Sequence, residues 1–195
     1  MSMRRLWVVA RNELAFNVRR PMFYICLAVI GLIIWGLSTG GVSIVIASGD
    51  ATVGGKKAFI TSEFAAAQIL VITVSTLMSF FVAAAAGMSV IRDGELRVGE
   101  LLHATPLTPG EYIGGKYAAT LVSAVGLLVA TLALMLLFFH AIPNAEMAES
   151  RGPLDLVNYL RPALVLALPE LIVITGVSFA LGAWTRRPIL VFFLP

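Results

Sequence analysis

The sequence predicts an all-α, polytopic helical membrane protein, and three observations lead to that class. The chain is 59% hydrophobic and 13% charged, with a mean hydropathy of +0.93, whereas soluble domains carry about 25% charged residues. Uncharged runs recur along it, near or above the ~20 residues that cross a ~30 Å hydrocarbon core. Polar segments containing glycine and proline separate these runs. We expect an N-terminal interfacial helix, four full transmembrane helices and the start of a fifth.

Residues 1–21 are predicted to form an interfacial amphipathic helix that contacts membrane lipid. The apolar side chains that fall on one side of it are Trp7, Ala10, Leu14 and Val18. Its basic residues are Arg4, Arg5, Arg11, Arg19 and Arg20. Arginines beside an apolar stripe are typical of helices that lie in the membrane surface and contact anionic lipid. A disordered basic tail is the alternative.

Residues 22–195 are predicted to form the transmembrane domain, after Pro21 ends the first helix. The four full spans are expected at 22–41, 64–91, 117–142 and 162–184. Residues 188–195 are apolar and resemble the start of a fifth span that stops after eight residues. We therefore expect the chain to be truncated at residue 195.

Glu170 is predicted to be the one charge inside the membrane. Counted from Pro162 it lies eight residues into the fourth span, or ~12 Å along the helix axis. Pro169 precedes it and leaves the carbonyl of Val165 without a donor, so a kink is expected there. A charge at this depth is costly and should face protein or water. It belongs to a transport path or subunit interface, is a structural carboxylate, or lies near the surface if the helix begins later.

Composition argues against three other classes of site. The net charge of +3 does not indicate nucleic-acid binding, because the basic residues flank apolar spans. The single cysteine, Cys26, lies within the first span and is predicted to be a small packing residue. His103 and His140 have no further metal ligands at suitable spacing. His140 is expected to be an interfacial histidine. We therefore predict no metal site and no cofactor in this chain.

Residues 92–116 are the one long charged segment between two strongly apolar ones. A short helix is predicted from Glu95 to Ala104, and Pro106 should end it because the residue before a proline is disfavoured in helices. A second helix is predicted to begin directly afterwards. Thr108 and Glu111 have the spacing of a capping box, with Pro109 at the first helical position. A solvated turn between two membrane helices is the alternative.

The distribution of Lys and Arg predicts a cytosolic N-terminus. With the N-terminus inside, ten basic residues lie in the cytosolic segments and four in the outer loops. Such an excess is what the positive-inside rule describes. Residues 92–116 are therefore expected to form a cytosolic loop.

The 92–116 segment resembles the first cytosolic loop of ABC transporter permeases of the type-2 exporter class. The residues that carry the resemblance are Glu95, Gly99, Glu100, Leu101, Leu102, Thr105, Pro106, Tyr112, Gly115 and Lys116. The resemblance implies a coupling helix that docks on a separate ABC ATPase subunit. The docking residues it implies are Glu95, Gly99, Glu100, Leu101, Leu102 and His103. The residues expected to shape the loop are Thr105, Pro106, Thr108, Glu111 and Lys116.

The resemblance also implies the surroundings of the chain. A second permease half, in a homodimer or heterodimer, would complete the transport path in the plasma membrane (the inner membrane of a bacterium). ATP and Mg would be bound by the partner ATPase, and indeed no GxxxxGK[ST] phosphate loop occurs in this sequence. This chain is accordingly predicted not to be an enzyme.

A narrower resemblance concerns bacterial permeases fused to a zinc aminopeptidase domain. Residues 19–24, RRPMFY, and 167–171, ALPEL, are similar to the N-terminal membrane module of such proteins. No HExxH zinc motif is present in the sequence, so the resemblance gives these residues no peptidase activity.

Two other functions stay open at the level of sequence. An ion-coupled secondary carrier would place several ionisable groups at mid-membrane, whereas only Glu170 is predicted there. A non-transporting membrane anchor or assembly subunit would need none. The apolar spans carry no signature of a transported substance.

Overall fold

Helices form nearly all of the regular structure in the computed structural model, which describes residues 3–42, 44–45, 52–53, 59–95, 108–142 and 151–185. The α-helices are α1 (Met3–Arg19), α2 (Pro21–Thr39), α3 (Glu63–Ile72), α4 (Ser79–Glu95), α5 (Pro109–Leu136), α6 (Val157–Pro162) and α7 (Leu168–Thr185). Three π-helical segments continue them: Thr73–Met78 joins α3 to α4, Leu137–Ala141 follows α5, and Ala163–Ala167 joins α6 to α7. The predicted all-α class is confirmed.

One minimal β ladder accompanies the helices. Strand β1 (Ile44–Val45) pairs antiparallel with β2 (Thr52–Val53), so that Ile44 lies opposite Val53. No strand is predicted here from the sequence. Strands of two residues contribute one cross-strand contact on each face and leave the fold class unchanged.

Four helical stretches in the described part of the chain are long and apolar enough to cross a membrane, as predicted. They are Pro21–Thr39, Glu63–Ala86, Gly110–Ala141 and Val157–Gly182. Large apolar side chains on these stretches are exposed, among them Leu32, Val129 and Val173. A helix makes its backbone hydrogen bonds internally, so a helix with an apolar surface can face hydrocarbon. The chain is therefore a multi-pass helical membrane protein. The predicted start of a fifth span, residues 188–195, lies outside the described residues.

Helix starts are less well predicted than helix existence. The first break is confirmed, since α1 ends at Arg19 and α2 begins at Pro21, where proline's missing N–H costs nothing. The third span begins at Gly110, not at Tyr117. The fourth begins at Val157, not at Pro162. Its first turn starts where Asp155 Oδ1 accepts a hydrogen bond from the N–H of Val157 at 3.0 Å.

The fourth span contains a π-helical irregularity just before Pro169, and the kink predicted at Pro169 stays a prediction. Ala163–Ala167 is π-helical, and the N–H of Leu168 reaches the carbonyl of Ala163, five residues back. Pro162 lies inside the helix just before this segment. A proline removes one backbone donor, and a π-helical turn is one way in which a helix accommodates that loss.

The chain divides into two compact units. The first is drawn from Met1–Tyr24, Met78–Gly126 and Glu170–Pro195, and the second from Ile25–Leu77 and Leu127–Pro169. In the first unit, rings pack edge to face between Phe23 and Phe81 and between Tyr117 and Phe179, with centroids 5.6 and 5.7 Å apart. The predicted division at residue 21 stays a prediction.

Small residues are buried in the apolar core of each unit. In the first unit, Ala83, Ala85 and Ala86 are buried, which agrees with a helix-packing role for this alanine run. In the second, Cys26 is buried, and its Sγ lies 3.6 Å from the carbonyl oxygen of Leu77. Cys26 is therefore a packing residue, as predicted.

Candidate functional site

The candidate site begins with the side of α1 that is buried. The sequence predicts an apolar side with Trp7, Ala10, Leu14 and Val18. In the structure Ala10, Glu13 and Asn17 are buried, whereas Trp7 is 64% exposed. An exposed Trp7 agrees with contact between this side of the helix and lipid, and the interfacial position of α1 stays a prediction.

Glu13 belongs to a buried polar network with Ser89 of α4 and Lys116 of α5. Lys116 Nζ donates hydrogen bonds to Ser89 Oγ at 2.9 Å and to the Ser89 carbonyl at 3.1 Å. Ser89 Oγ donates in turn to Glu13 Oε1 at 2.7 Å. Lys116 Nζ also lies 3.7 Å from Glu13 Oε2. One lysine therefore contacts two other helices. We call these three residues the buried network.

Burial makes the members of this network depend on one another. The side chains of Lys116 and Glu13 are 5% and 9% exposed. Removing a charge from water costs several kcal/mol, and leaving its partner buried alone costs about 3–5 kcal/mol. The ammonium group also lies 5.0 Å from the centroid of the Tyr112 ring, in the range of a cation–π interaction. We conclude that α1, α4 and α5 are held together at this point by charge.

A close helix contact lies next to the buried network. A Cβ on Gly115 would lie 2.9 Å from Val9 Cβ and 3.0 Å from the carbonyl oxygen of Leu6. The first distance is shorter than Cβ contacts in folded proteins, and the second is at their lower limit, so the neighbouring atoms would have to move. Gly115 therefore allows α1 to approach α5 at the turn where Lys116 reaches Glu13.

The start of α5 is the predicted capping box. The N–H of Glu111 donates to Thr108 Oγ1 at 3.3 Å, and the N–H of Thr108 donates to Glu111 Oε2 at 3.2 Å. This reciprocal pair satisfies two backbone donors at the helix start. Thr108 and Glu111 therefore have the local role that the sequence predicts.

Most of the predicted docking residues lie outside the described residues. Glu95 is the last residue of α4. The docking residues that are not described are Gly99, Glu100, Leu101, Leu102 and His103. Thr105 and Pro106, which are predicted to shape the loop, are not described either. The coupling helix stays a prediction. The buried network lies close to it in sequence, because Ser89 precedes the end of α4 and Lys116 follows the start of α5.

The prediction that Glu170 is the one charge inside the membrane stays a prediction. The candidate span Gly110–Ala141 contains Glu111 and Lys116 near its start, and both are buried. This helix extends past the uncharged run from which the third span was predicted. Glu170 is half-buried in the first turn of α7. The alternative that the helix of the fourth span begins after Pro162 is wrong. The continuous helical stretch formed by α6, the π-helical segment and α7 begins at Val157.

The second unit has polar contacts of a different kind. Ser38 Oγ donates to the carbonyl of Phe138 at 2.7 Å, and Arg151 Nη2 donates to Ser38 Oγ at 3.2 Å. Thr61 Oγ1 accepts from the N–H of Gly152 at 2.9 Å. The first bond joins two helix ends, and the other two hold Arg151 and Gly152 against Ser38 and Thr61. They position those ends, and they bury no pair of opposite charges.

His140 has a specific partner that the sequence analysis missed. Its Nε2 lies 2.9 Å from the hydroxyl oxygen of Tyr159, which is fully buried. The two rings also pack at 78° with centroids 5.9 Å apart. Nothing in the sequence indicates that a histidine at the end of one span contacts a tyrosine at the start of the next.

The sequence gives one weak indication of the buried network. Glu13 is the only acidic residue before Asp50, and it lies among five arginines. An isolated carboxylate in a basic segment indicates a specific partner. Nothing in the sequence shows that the partner is Lys116, which the analysis assigned to a loop.

Comparison with known proteins finds no family model that matches the chain and no curated protein that matches it.

Proposed function

We propose that this chain is the membrane-spanning permease subunit of an ATP-driven ABC exporter. The 92–116 segment would couple it to a separate ATPase subunit. The resemblance of that segment to type-2 exporter permeases supports the proposal, and so do the four candidate membrane spans. The observation that carries it is the buried network of Glu13, Ser89 and Lys116.

The buried network supports this proposal because of where it lies, between the two helices that flank the proposed coupling helix. Residues 96–107 connect α4 to α5, and Lys116 joins these two helices by its bonds to Ser89. A simple turn between two spans does not require a buried ion pair, whose desolvation is costly. A segment pushed or pulled by a partner does need its two flanking helices to move together. The network supplies that connection and adds α1 to it through Glu13.

The remaining parts of the proposal follow from the same mechanism. Closure of two partner ATPase subunits around ATP and Mg would move residues 95–103, and α4 and α5 would transmit the movement. A second permease half, identical or different, would complete the transport path. The ten-to-four distribution of basic residues favours a cytosolic N-terminus. The plasma membrane, which in a bacterium is the inner one, is the proposed location.

A secondary carrier driven by an ion gradient is the second candidate. The structure adds one observation in its favour, since Glu111 and Lys116 join Glu170 within candidate spans. Ion-coupled carriers place such groups along their transport paths. Against it, Lys116 is already bonded to Ser89 and Glu13. Dependence of transport on an ATPase partner would separate the two candidates.

Affinity purification of the tagged full-length protein from its native membrane tests the proposal. We expect a stoichiometric ATP-binding subunit to co-purify and Glu100→Arg to abolish that co-purification. Glu149→Arg is the matched control, because it makes the same charge change in a predicted outer loop. It should leave the complex intact. If a monodisperse preparation contains no ATPase subunit, the exporter proposal is wrong.

A further inference from the structure

Two polar side chains beside the buried network have no hydrogen-bond partner in the described part of the chain. They are Asn17 on α1 and Thr120 on α5, and both are 0% exposed. The three side-chain atoms concerned are Asn17 Oδ1, Asn17 Nδ2 and Thr120 Oγ1. Buried polar groups in folded proteins are nearly always bonded, either to protein atoms or to ordered water. These atoms therefore indicate a ligand that can both donate and accept hydrogen bonds.

Asn17 and Thr120 occupy corresponding positions on their two helices. Asn17 follows Glu13 by four residues, and Thr120 follows Lys116 by four. Side chains four residues apart lie on the same side of a helix, one turn from each other. Each unbonded side chain is thus one turn from a member of the ion pair.

Both side chains lie beyond the same end of the ion pair. A Cβ on Gly114 would lie 3.6 Å from Leu6 Cδ1, and the ion pair follows these residues on both helices, so α1 and α5 run in the same direction here. On α4, the small residue Ala85 is buried one turn before the serine of the buried network. Phe81, one turn further, packs on Phe23, which follows α1. A small side chain on the third helix leaves room for a small ligand between the three.

We propose that at least one internal water molecule binds between α1 and α5, held by Asn17 and Thr120 and shared with the ion pair. Such a water can donate to Asn17 Oδ1 and accept from Asn17 Nδ2 or Thr120 Oγ1. Lys116 Nζ and Glu13 Oε2 are 3.7 Å apart. That separation is too long for a direct hydrogen bond and is of the kind that a water bridges.

Water suits this position better than an ion does. The carboxylate of Glu13 disfavours an anion one turn away, and the ammonium group of Lys116 disfavours a cation. Internal waters are common, at about one per 27 residues, and they bond to buried polar groups that have no other partner. Hydrogen bonds beside a buried ion pair also reduce its desolvation penalty. The water site does not depend on the exporter proposal.

Asn17→Leu and Thr120→Val test whether the two side chains are bonded, because each puts apolar atoms of similar size in place of polar ones. The measurement is thermal unfolding of the purified full-length protein in detergent. With a bound water, each variant loses hydrogen bonds and should lower the unfolding midpoint by about 2–8 °C. With dry, unbonded side chains, each variant removes a destabilising group and should raise the midpoint.

Thr131→Val is the matched control on the same helix. Thr131 is also 0% exposed, but its hydroxyl donates to the carbonyl of Leu127 at 2.9 Å. That bond lies within one helix turn and adds little to stability. Thr131→Val should therefore change the midpoint by less than Thr120→Val does.

A structure of the full-length protein at a resolution that shows ordered water separates a bound water from a direct bond between Asn17 and Thr120. We expect solvent density within about 3 Å of atoms of both side chains. A direct bond between them, or no density, would overturn the proposal, and so would a raised midpoint in either variant. If Asn17→Leu does not fold, Thr120→Val and the structure still decide the outcome.

Discussion

In the first unit a lysine and a glutamate are buried together among three helices, with side-chain exposures of 5% and 9%. The second unit also has an ion pair, between Arg161 and Glu63, whose side chains are 67% and 45% exposed. The buried contacts named above for this unit are neutral or singly charged, such as that of His140 with Tyr159. The same pairing of opposite charges therefore occurs in two different environments.

The difference shows where this protein depends on charge. In the first unit, removing either member of the pair destabilises the protein, because the remaining charge stays buried. In the second unit, water screens both members, and the pair contributes little. The first unit contains α4 and α5, which flank the proposed coupling helix. A single substitution in its ion pair should therefore lower the free energy of unfolding by more than one in the second unit.

Lys116→Met should give the largest effect that separates the two units. It leaves Glu13 buried without its cation, and we expect a loss of about 3–5 kcal/mol in the free energy of unfolding. Adding Glu13→Gln should recover much of the loss, since the uncompensated charge is then gone. The measurement is a double-mutant cycle by denaturant unfolding of the full-length protein in detergent.

The matched cycle on the second unit uses Arg161→Met and Glu63→Gln. The coupling energy there should be about 0–1 kcal/mol, as for exposed ion pairs elsewhere. Equal coupling energies in the two cycles would contradict the distinction between the units.

Gly115→Ala should give the next largest effect, again in the first unit. The added methyl group would meet Val9 and the Leu6 carbonyl at 2.9–3.0 Å, and overpacking of this kind costs about 1–3 kcal/mol. Gly126→Ala is the control on the same helix, because its Cβ would meet nothing within 4 Å. The control should be neutral or stabilising by up to ~1 kcal/mol. If Gly115→Ala is as stable as the unmodified protein, the close contact of α1 and α5 is not required.

Tyr159→Phe should give the smallest of these effects, in the second unit. It removes the hydroxyl group that contacts His140 Nε2 at 2.9 Å and keeps the buried ring. A neutral hydrogen bond contributes about 1 kcal/mol, so the loss should be well below that of Lys116→Met. Tyr24→Phe, at an exposed tyrosine, should change stability by less than about 0.5 kcal/mol. A loss from Tyr159→Phe as large as that from Lys116→Met would remove the contrast between neutral and charged contacts.

Sequence reasoning succeeded where a local rule decides the structure. The break at Pro21 follows from the geometry of proline, and the Thr108–Glu111 capping box follows from spacing along a single chain segment. It gave no prediction of the protein-facing side of α1, where Glu13 is buried. Periodicity shows which residues share a side. It does not show which side a neighbouring helix can satisfy.

The sequence by itself determined that this is a multi-pass helical membrane protein. A run of some 20 apolar residues without charge can satisfy its backbone in a bilayer only as a helix. Only the tertiary structure decided which polar residues meet. Ser89 bonds to Glu13 across 76 residues and to Lys116 across 27, and no local pattern links positions so far apart. The physical reason is that the spans are uniformly apolar, so that helix pairing is set by a few buried polar groups and by close contacts such as the one at Gly115.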